Sequence, residues 1–275
     1  MTPIAEAIDS GRLRGRVWLY SNYHCNLTCS YCLTESAPDV AKRRLGQERM
    51  VELAREAADL GFSELGVTGG EPFIEPDMPE TVARLAQILP VVVLTNGTLF
   101  TTRRLQRLAP LGELDVRFQI SLDSSDPVAN DVMRGPNNFG KVVDAIPRLV
   151  DLGIKVRIAS TLEYVDDDDL TQLCALHREL GVPDEDHIVR PVIRRGRAID
   201  NGMGVSAEAK DLPPELTLTS DGAFWSAFGP TVHGGRLDTD LLVTRTITPL
   251  RVPAMAMLRL LDDQPASPNG ESAFI

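Results

Sequence analysis

Short apolar runs alternate with stretches of helical spacing from residue 17 to residue 193, and this alternation restricts the fold more than any other feature. Strands are predicted at Val17–Tyr20, Leu65–Thr68, Val91–Thr95, Val116–Leu122, Ile154–Leu162 and Ile188–Ile193. Helices are predicted between them, at Gln47–Leu60, Asp77–Leu89, Thr101–Leu108, Phe139–Leu152 and Asp167–Leu180, and Gly61, Gly153 and Gly181 close three of these. A repeat of roughly 30 residues suits βαβ units, whose crossovers require parallel strands. Near-continuous apolar strands covered by helices again imply a parallel sheet. A partly closed barrel and an open doubly wound sheet give the same alternation. The unusual residues follow strand C-termini, where α/β folds place their active sites.

Four cysteines in 275 residues are too few for a disulfide scaffold, and three of them, Cys25, Cys29 and Cys32, form one C-x3-C-x2-C run. Three thiolates on a short loop can hold three irons of a [4Fe–4S] cluster and leave the fourth iron open to an external molecule. A zinc site would need a fourth ligand; His24 would have to fold back, Cys174 lies far along the chain, and the spacing is unlike the C-x2-C pairs of zinc ribbons. The formal charge of −11 argues against a broad nucleic-acid or anionic-membrane surface. Residues 1–16 hold no signal-peptide core and no run of 18 apolar residues occurs, so a cytoplasmic protein without a membrane partner is expected. A reducing compartment suits clustered cysteines acting as metal ligands.

The cysteine run, followed by Gly69-Gly70-Glu71-Pro72 after the second strand, resembles the radical S-adenosylmethionine (SAM) enzymes. Leu94-Thr95-Asn96-Gly97-Thr98-Leu99, Ile120-Ser121-Leu122-Asp123 and Met133-Arg134-Gly135 resemble the peptide- and protein-modifying branch of that family, in order, from Val17 to about Ala198. The resemblance implies a partial (β/α)6 TIM-like barrel over residues 16–199, with Cys25, Cys29 and Cys32 holding one [4Fe–4S] cluster at its mouth. It further implies SAM on the open iron, cleaved reductively to a 5′-deoxyadenosyl radical that abstracts a substrate hydrogen. Glu71 then looks like the acceptor for the methionine amino group, with Gly69 and Gly70 allowing close backbone approach. Asn96, Ser121 and Asp123 suit ribose hydroxyls and other polar atoms of SAM, Tyr31 matches an aromatic position near the adenine, and Arg134 suits a carboxylate.

Arg190, Arg194, Arg195 and Arg197 form a basic knot at the last strand's end; Arg190 is expected in the cofactor site, with one or two of the four facing the barrel mouth and the others exposed. Residues 205–262 resemble a small β-rich C-terminal extension known as SPASM, through Leu216-Thr217-Leu218-Thr219-Ser220-Asp221-Gly222-Ala223-Phe224. That extension normally carries auxiliary-cluster cysteines, and none follows Cys174. The segment therefore reads as a cluster-free remnant covering the barrel, and 263–275 as a flexible tail. The expected function is radical SAM modification of a peptide or natural product, fed electrons by a ferredoxin or flavodoxin. The alternatives are transformation of a small metabolite (sugar, nucleoside or amino acid) and a non-catalytic Fe–S/SAM-binding accessory protein.

Overall fold

The computed structural model describes residues 2–164 and 166–263, so the tail expected at 263–275 falls outside the described residues from 264 onward. The elements run α1 (Pro3–Asp9), β1 (Arg16–Tyr20), α2 (Gln47–Leu60), β2 (Glu64–Thr68), α3 (Met78–Ala86), β3 (Val91–Thr95), α4 (Thr102–Leu108) and β4 (Val116–Ser121). They continue through α5 (Pro127–Arg134), α6 (Asn138–Asp151), β5 (Lys155–Leu162), α7 (Asp167–Glu179), β6 (His187–Pro191) and α8 (Arg197–Asp200). The C-terminal part adds β7 (Thr217–Thr219), β8 (Gly222–Phe224), β9 (Val232–His233), β10 (Arg236–Leu237), β11 (Leu242–Thr244) and α9 (Arg251–Asp262).

Strands β1 to β6 lie side by side in chain order and pair in parallel, the arrangement that helical crossovers enforce. The sheet continues past β1: β7 joins it in parallel, and β8 and β11 follow antiparallel, giving the order β11-β8-β7-β1-β2-β3-β4-β5-β6. Residues 217–224 thus extend the barrel's own sheet.

Sidedness is set by period-two alternation. Val17, Leu19, Leu65, Val67, Val91, Val93, Phe118, Ile120, Val156 and Ile158 belong to the main apolar core between sheet and helices. The opposite face carries Arg16, Trp18, Glu64, Gln119, Arg157 and Arg190, which line a cavity enclosed by the curved sheet. The expectation of near-continuous apolar strands therefore holds for β3 and fails for β1, β4 and β5. Their inner residues face a polar cavity, so only the helix-facing half must be apolar.

Three helices escape the periodicity reading, the short α1 and α8 and the longer α5. Helix α5 turns Val128 (72% exposed) and Val132 (75% exposed) to solvent and buries Asn130 and Arg134. Its polar residues, not its apolar ones, carry the inward stripe, so an apolar template passes over it. The remaining helix and strand boundaries of the barrel fall within three residues of expectation.

Close to the middle of the sheet, Trp18 lies across Gly66: a Cβ at position 66 would sit 2.1 Å from the indole Cε3. The ring is 4% exposed and its Nε1–H donates to Glu215 at 2.7 Å, so it has little room to move. Gly66→Ala is expected to cost about 1–3 kcal/mol through overpacking, read as a lowered thermal midpoint with altered tryptophan fluorescence. An unchanged midpoint would contradict this packing.

Candidate active site

The cysteine loop follows β1 directly and is fastened on several sides. Cys25 N–H donates to the Ala37 carbonyl at 3.2 Å, and Ser30 N–H to the Met133 carbonyl at 2.9 Å. From the C-terminal side, Arg197 gives its two terminal nitrogens to the carbonyls of Cys29 (2.7 Å) and Ser36 (2.9 Å), and Asn201 donates to the Ser30 carbonyl at 2.7 Å. Val232 N–H adds a bond to the Leu33 carbonyl at 3.0 Å. The loop is thus held between the C-terminal end of α5 and the segment around α8.

Cys25, Cys29 and Cys32 are unpaired and all three line the cavity. Burial pushes the Cys25 thiol up to about 12 and Cys29 to about 11, although the Arg134 guanidinium opposes the rise at Cys29. Such thiols become thiolates when a cationic centre compensates the charge. Among the described residues, the one set of three Cys, His, Asp or Glu ligand atoms all within 4.8 Å of one another is that of Glu35, Asp200 and His233. At least one pair of the three sulfurs is therefore more than 4.8 Å apart, wider than the about 3.8 Å that Zn–S bonds of ~2.3 Å give in a tetrahedral site. The wider spacing and the thiol-only donor set fit a polynuclear iron–sulfur centre.

Around the cysteines, the backbone of Gly69 and Gly70 forms part of the wall, with Asn96, Ser121, Tyr31, Arg134 and Arg190. Gly70 packs so tightly that a Cβ would lie 2.2 Å from the His24 carbonyl oxygen, which explains the second glycine of the pair. Asn96 Nδ2 donates to Asn26 Oδ1 at 3.0 Å and reaches Cys25 Sγ at 3.6 Å, while its Oδ1 accepts from Thr98 N at 3.0 Å. Asparagine here couples the cysteine loop to the end of β3.

Two of the expected residues lie behind the wall. Glu71 is fully buried, and its carboxylate accepts from Phe73 N (3.0 Å), Thr95 Oγ1 (2.8 Å) and Asn96 N (2.7 Å). Burial raises its pKa and those three donors pull it back, leaving it above the ordinary glutamate value. Asp123 accepts the Tyr31 hydroxyl (2.5 Å) and Arg134 (3.1 Å) on one oxygen and Thr161 N (2.9 Å) on the other. Burial holds the Tyr31 phenol well above its usual value, so it stays a donor to Asp123. Burial alone would lower Arg134, but Tyr31 and Asp123 outweigh it and the guanidinium stays charged.

Of the arginine knot, only Arg190 faces the cavity. Arg195 is buried in a two-pronged pair with Asp240, Arg194 donates to the Gly204 carbonyl at 3.1 Å, and Arg197 holds the cysteine loop. The expectation that the arginines outside the site are exposed holds for Arg194 and fails for the buried Arg195 and the half-buried Arg197. Cys174 sits 3.7 Å from His187 Nδ1 and lies outside the cavity wall. His177 is a buried packing residue, its ring edge on His187 at 4.3 Å, and burial pulls its pKa down to about 3. Sequence reasoning passed over the inner-face residues Arg16, Trp18, Gln119, Arg157 and Glu215, although polar residues alternating with apolar ones in Val116-Arg117-Phe118-Gln119-Ile120 and Val156-Arg157-Ile158 mark them.

The chain as a whole has counterparts among known proteins. The profile of the family described as "Radical SAM superfamily" matches residues 19–176, more than half of the chain. The GTP 3′,8-cyclase of Aquifex aeolicus is 30% identical over 165 residues, covering 58% of this chain and 51% of that protein. A probable GTP 3′,8-cyclase of Methanosarcina acetivorans is 33% identical over 166 residues, 57% of this chain and 48% of the relative. This chain spans about half the length of these curated relatives. In fold it is similar to Streptococcus suis SuiB bound to S-adenosylmethionine, with a TM-score of 0.57 at 17% identity, covering 68% of this chain and 43% of that one. The chain belongs to the radical SAM superfamily: it is an enzyme whose cofactors are a [4Fe–4S] cluster and S-adenosylmethionine.

Proposed function

We propose that this enzyme binds SAM beside a cluster held by Cys25, Cys29 and Cys32 and uses it to abstract hydrogen from a small molecule. When bound and reduced by one electron, the cluster supplies the electron that splits SAM into methionine and a 5′-deoxyadenosyl radical. The observation that carries the reading is one continuous cavity of about 530 Å³ that has the three cysteines in its wall and runs down the inside of the barrel to Arg14 and Glu64. A cavity of that size, walled by strands, suits a compact substrate held whole. The relatives named GTP 3′,8-cyclase act, by that name, on a small molecule, which supports the same class here. Modification of a peptide, the reading the sequence motifs favour, has a likeness of fold behind it.

The chain's own residues divide the work. Gly69 and Gly70 offer backbone polar groups at the cavity wall, next to the cysteines. Asn96 and Ser121 offer side-chain groups at adjacent strand ends, suited to ribose hydroxyls and to SAM's polar atoms. Tyr31, fixed by Asp123 and Arg134, presents a ring of set orientation for the adenine. Glu71 acts through others: it fixes the turn after β2 and the end of β3, so the wall is preorganised before SAM arrives. Residues 16–199 form the reacting core, and 205–262 act as a cluster-free cover that lends Pro213, Glu215, Ala227 and Phe228 to the cavity. A ferredoxin or flavodoxin in a reducing cytoplasm is the proposed electron source; no helix among the described residues is long and apolar enough to cross a membrane.

Anaerobic reconstitution tests the reading. The wild type is expected to take up about four irons per chain and, with dithionite and SAM, to release 5′-deoxyadenosine. Cys29→Ala is expected to lose both; cleavage retained in that variant would contradict the assignment. Glu71→Ala strands three buried donors and is expected to cost about 2–4 kcal/mol of stability, measured by denaturant unfolding. A loss below about 0.5 kcal/mol, within the range of ordinary surface substitutions, would contradict the bracing role.

A further inference from the structure

The inside of the barrel has a charge pattern that the cysteines do not use. Four arginines line it, Arg14, Arg16, Arg157 and Arg190, in a chain whose net charge is −11. The carboxylates in reach number three. Glu64 and Glu215 line the same space, and Asp186 lies at the outer end of Arg157. Two of these are occupied close by: Glu64 pairs with Arg16, and Glu215 contacts Arg16 at 3.4 Å and accepts the Trp18 indole N–H at 2.7 Å.

Arg14 is exposed to solvent, which leaves Arg157 and Arg190 as the under-compensated pair inside the barrel. The carboxylate in contact with Arg157 is Asp186, 3.5 Å from Nε and 3.6 Å from the neighbouring Arg117. The Nε contact misses hydrogen-bond geometry, and this buried nitrogen has no partner. Arg190 makes no hydrogen bond or close ion pair among the described residues, and Glu215 acts on it only through space. Burial, with the like charges of Arg16 and Arg157, lowers its pKa, against the opposing pull of Glu215. A guanidinium cannot shed its charge in a protein, so a largely buried one without a carboxylate is costly unless a ligand completes it.

Arg157 lies five residues before the last residue of β5, Leu162, roughly 16 Å down the strand from the cysteine-bearing mouth. Arg190 lies near the top of β6, opposite Thr161. Thr161 is four residues beyond Arg157, so the two arginines start roughly 13 Å apart along the sheet, and the like charge that Arg157 exerts on Arg190 puts their side chains in the same stretch of the cavity.

We propose that Arg157 and Arg190 form an oxyanion subsite inside the barrel that holds a phosphate or carboxylate end of the substrate, with its reacting carbon directed up towards the cysteines. The inference rests on the small-molecule reading above and deepens it: the substrate is a small anion, extended enough to span the barrel. Bidentate guanidinium pairing supplies orientation as well as affinity, which fixes which carbon faces the radical.

The test uses the reconstituted, cluster-loaded protein with SAM present, titrated calorimetrically with inorganic pyrophosphate and separately with citrate. The wild type is expected to bind at least one of them, and Arg157→Gln and Arg190→Gln each to weaken that binding tenfold or more. Arg190→Lys keeps the charge without the fork and is expected to recover part of the loss, which also separates a lost contact from a misfolded chain. Stronger binding of pyrophosphate assigns a phosphoryl group, and stronger binding of citrate a carboxylate. No binding of either anion to the wild type, or undiminished binding to both glutamine variants, overturns the subsite. A loss of SAM affinity in Arg190→Gln that exceeds its loss of anion affinity also overturns it, because the arginine would then serve the cofactor. Release of 5′-deoxyadenosine, measured in the same wild-type samples, reports separately on the function proposed above.

Discussion

Everything at this site depends on a parallel sheet whose helix-facing side is apolar and whose inner side, β3 apart, is largely polar. The helix-facing residues of β1 to β5 supply the core that stabilises the fold, and burial of that face suffices for a chain of this length. The inner face is thereby released from packing duty. It carries arginine, glutamate, glutamine and tryptophan around a cavity, where a closed eight-stranded barrel would fill its interior with branched side chains. A cavity that begins at three cysteines and ends among arginines is a consequence of that sidedness.

The mouth of the cavity is ordered by buried polar groups that never reach it. Glu71 and Asp123 sit one layer back, each accepting three hydrogen bonds, and each ties together segments distant in sequence. Glu71 joins the turn after β2 to the end of β3; Asp123 joins the cysteine loop, through Tyr31, to α5 and β5. Arg197 and Asn201 fasten the same loop from the other side. Ligands on rigid supports with satisfied polar partners give a site whose geometry precedes its cofactors. The three thiols, held apart and pushed towards protonation by burial, call for a centre of several metal ions.

Much of this was legible in the sequence, for reasons that differ by residue. The strand and helix alternation is visible because βαβ packing imposes distinct periods on strand and helix. The cysteine loop and the Gly69-Gly70-Glu71-Pro72 turn are visible because spacing and glycine are local properties. The roles of Glu71 and Asp123 were not: whether a carboxylate faces a ligand or braces a wall depends on which donors the fold brings to it, and Thr95 and Thr161 lie far along the chain from either. Arg195 and Arg197 looked like surface charge because their partners, Asp240 and the Cys29 and Ser36 carbonyls, are 45, 168 and 161 positions away. Helix α5 was missed because its inward stripe is Asn130 and Arg134. Arg157 was missed because an alternating strand in a parallel sheet was read as continuous, though its period of two was in plain view.

The central claim is that the three cysteines hold a four-iron cluster with one iron open to SAM at the head of this cavity. Electron paramagnetic resonance of the reduced, reconstituted protein, recorded with and without SAM, tests it most directly. The account predicts the signal of a reduced [4Fe–4S] cluster whose g-values shift when SAM is added. A four-iron signal that SAM leaves unchanged, or a protein that binds zinc and no iron, would contradict it.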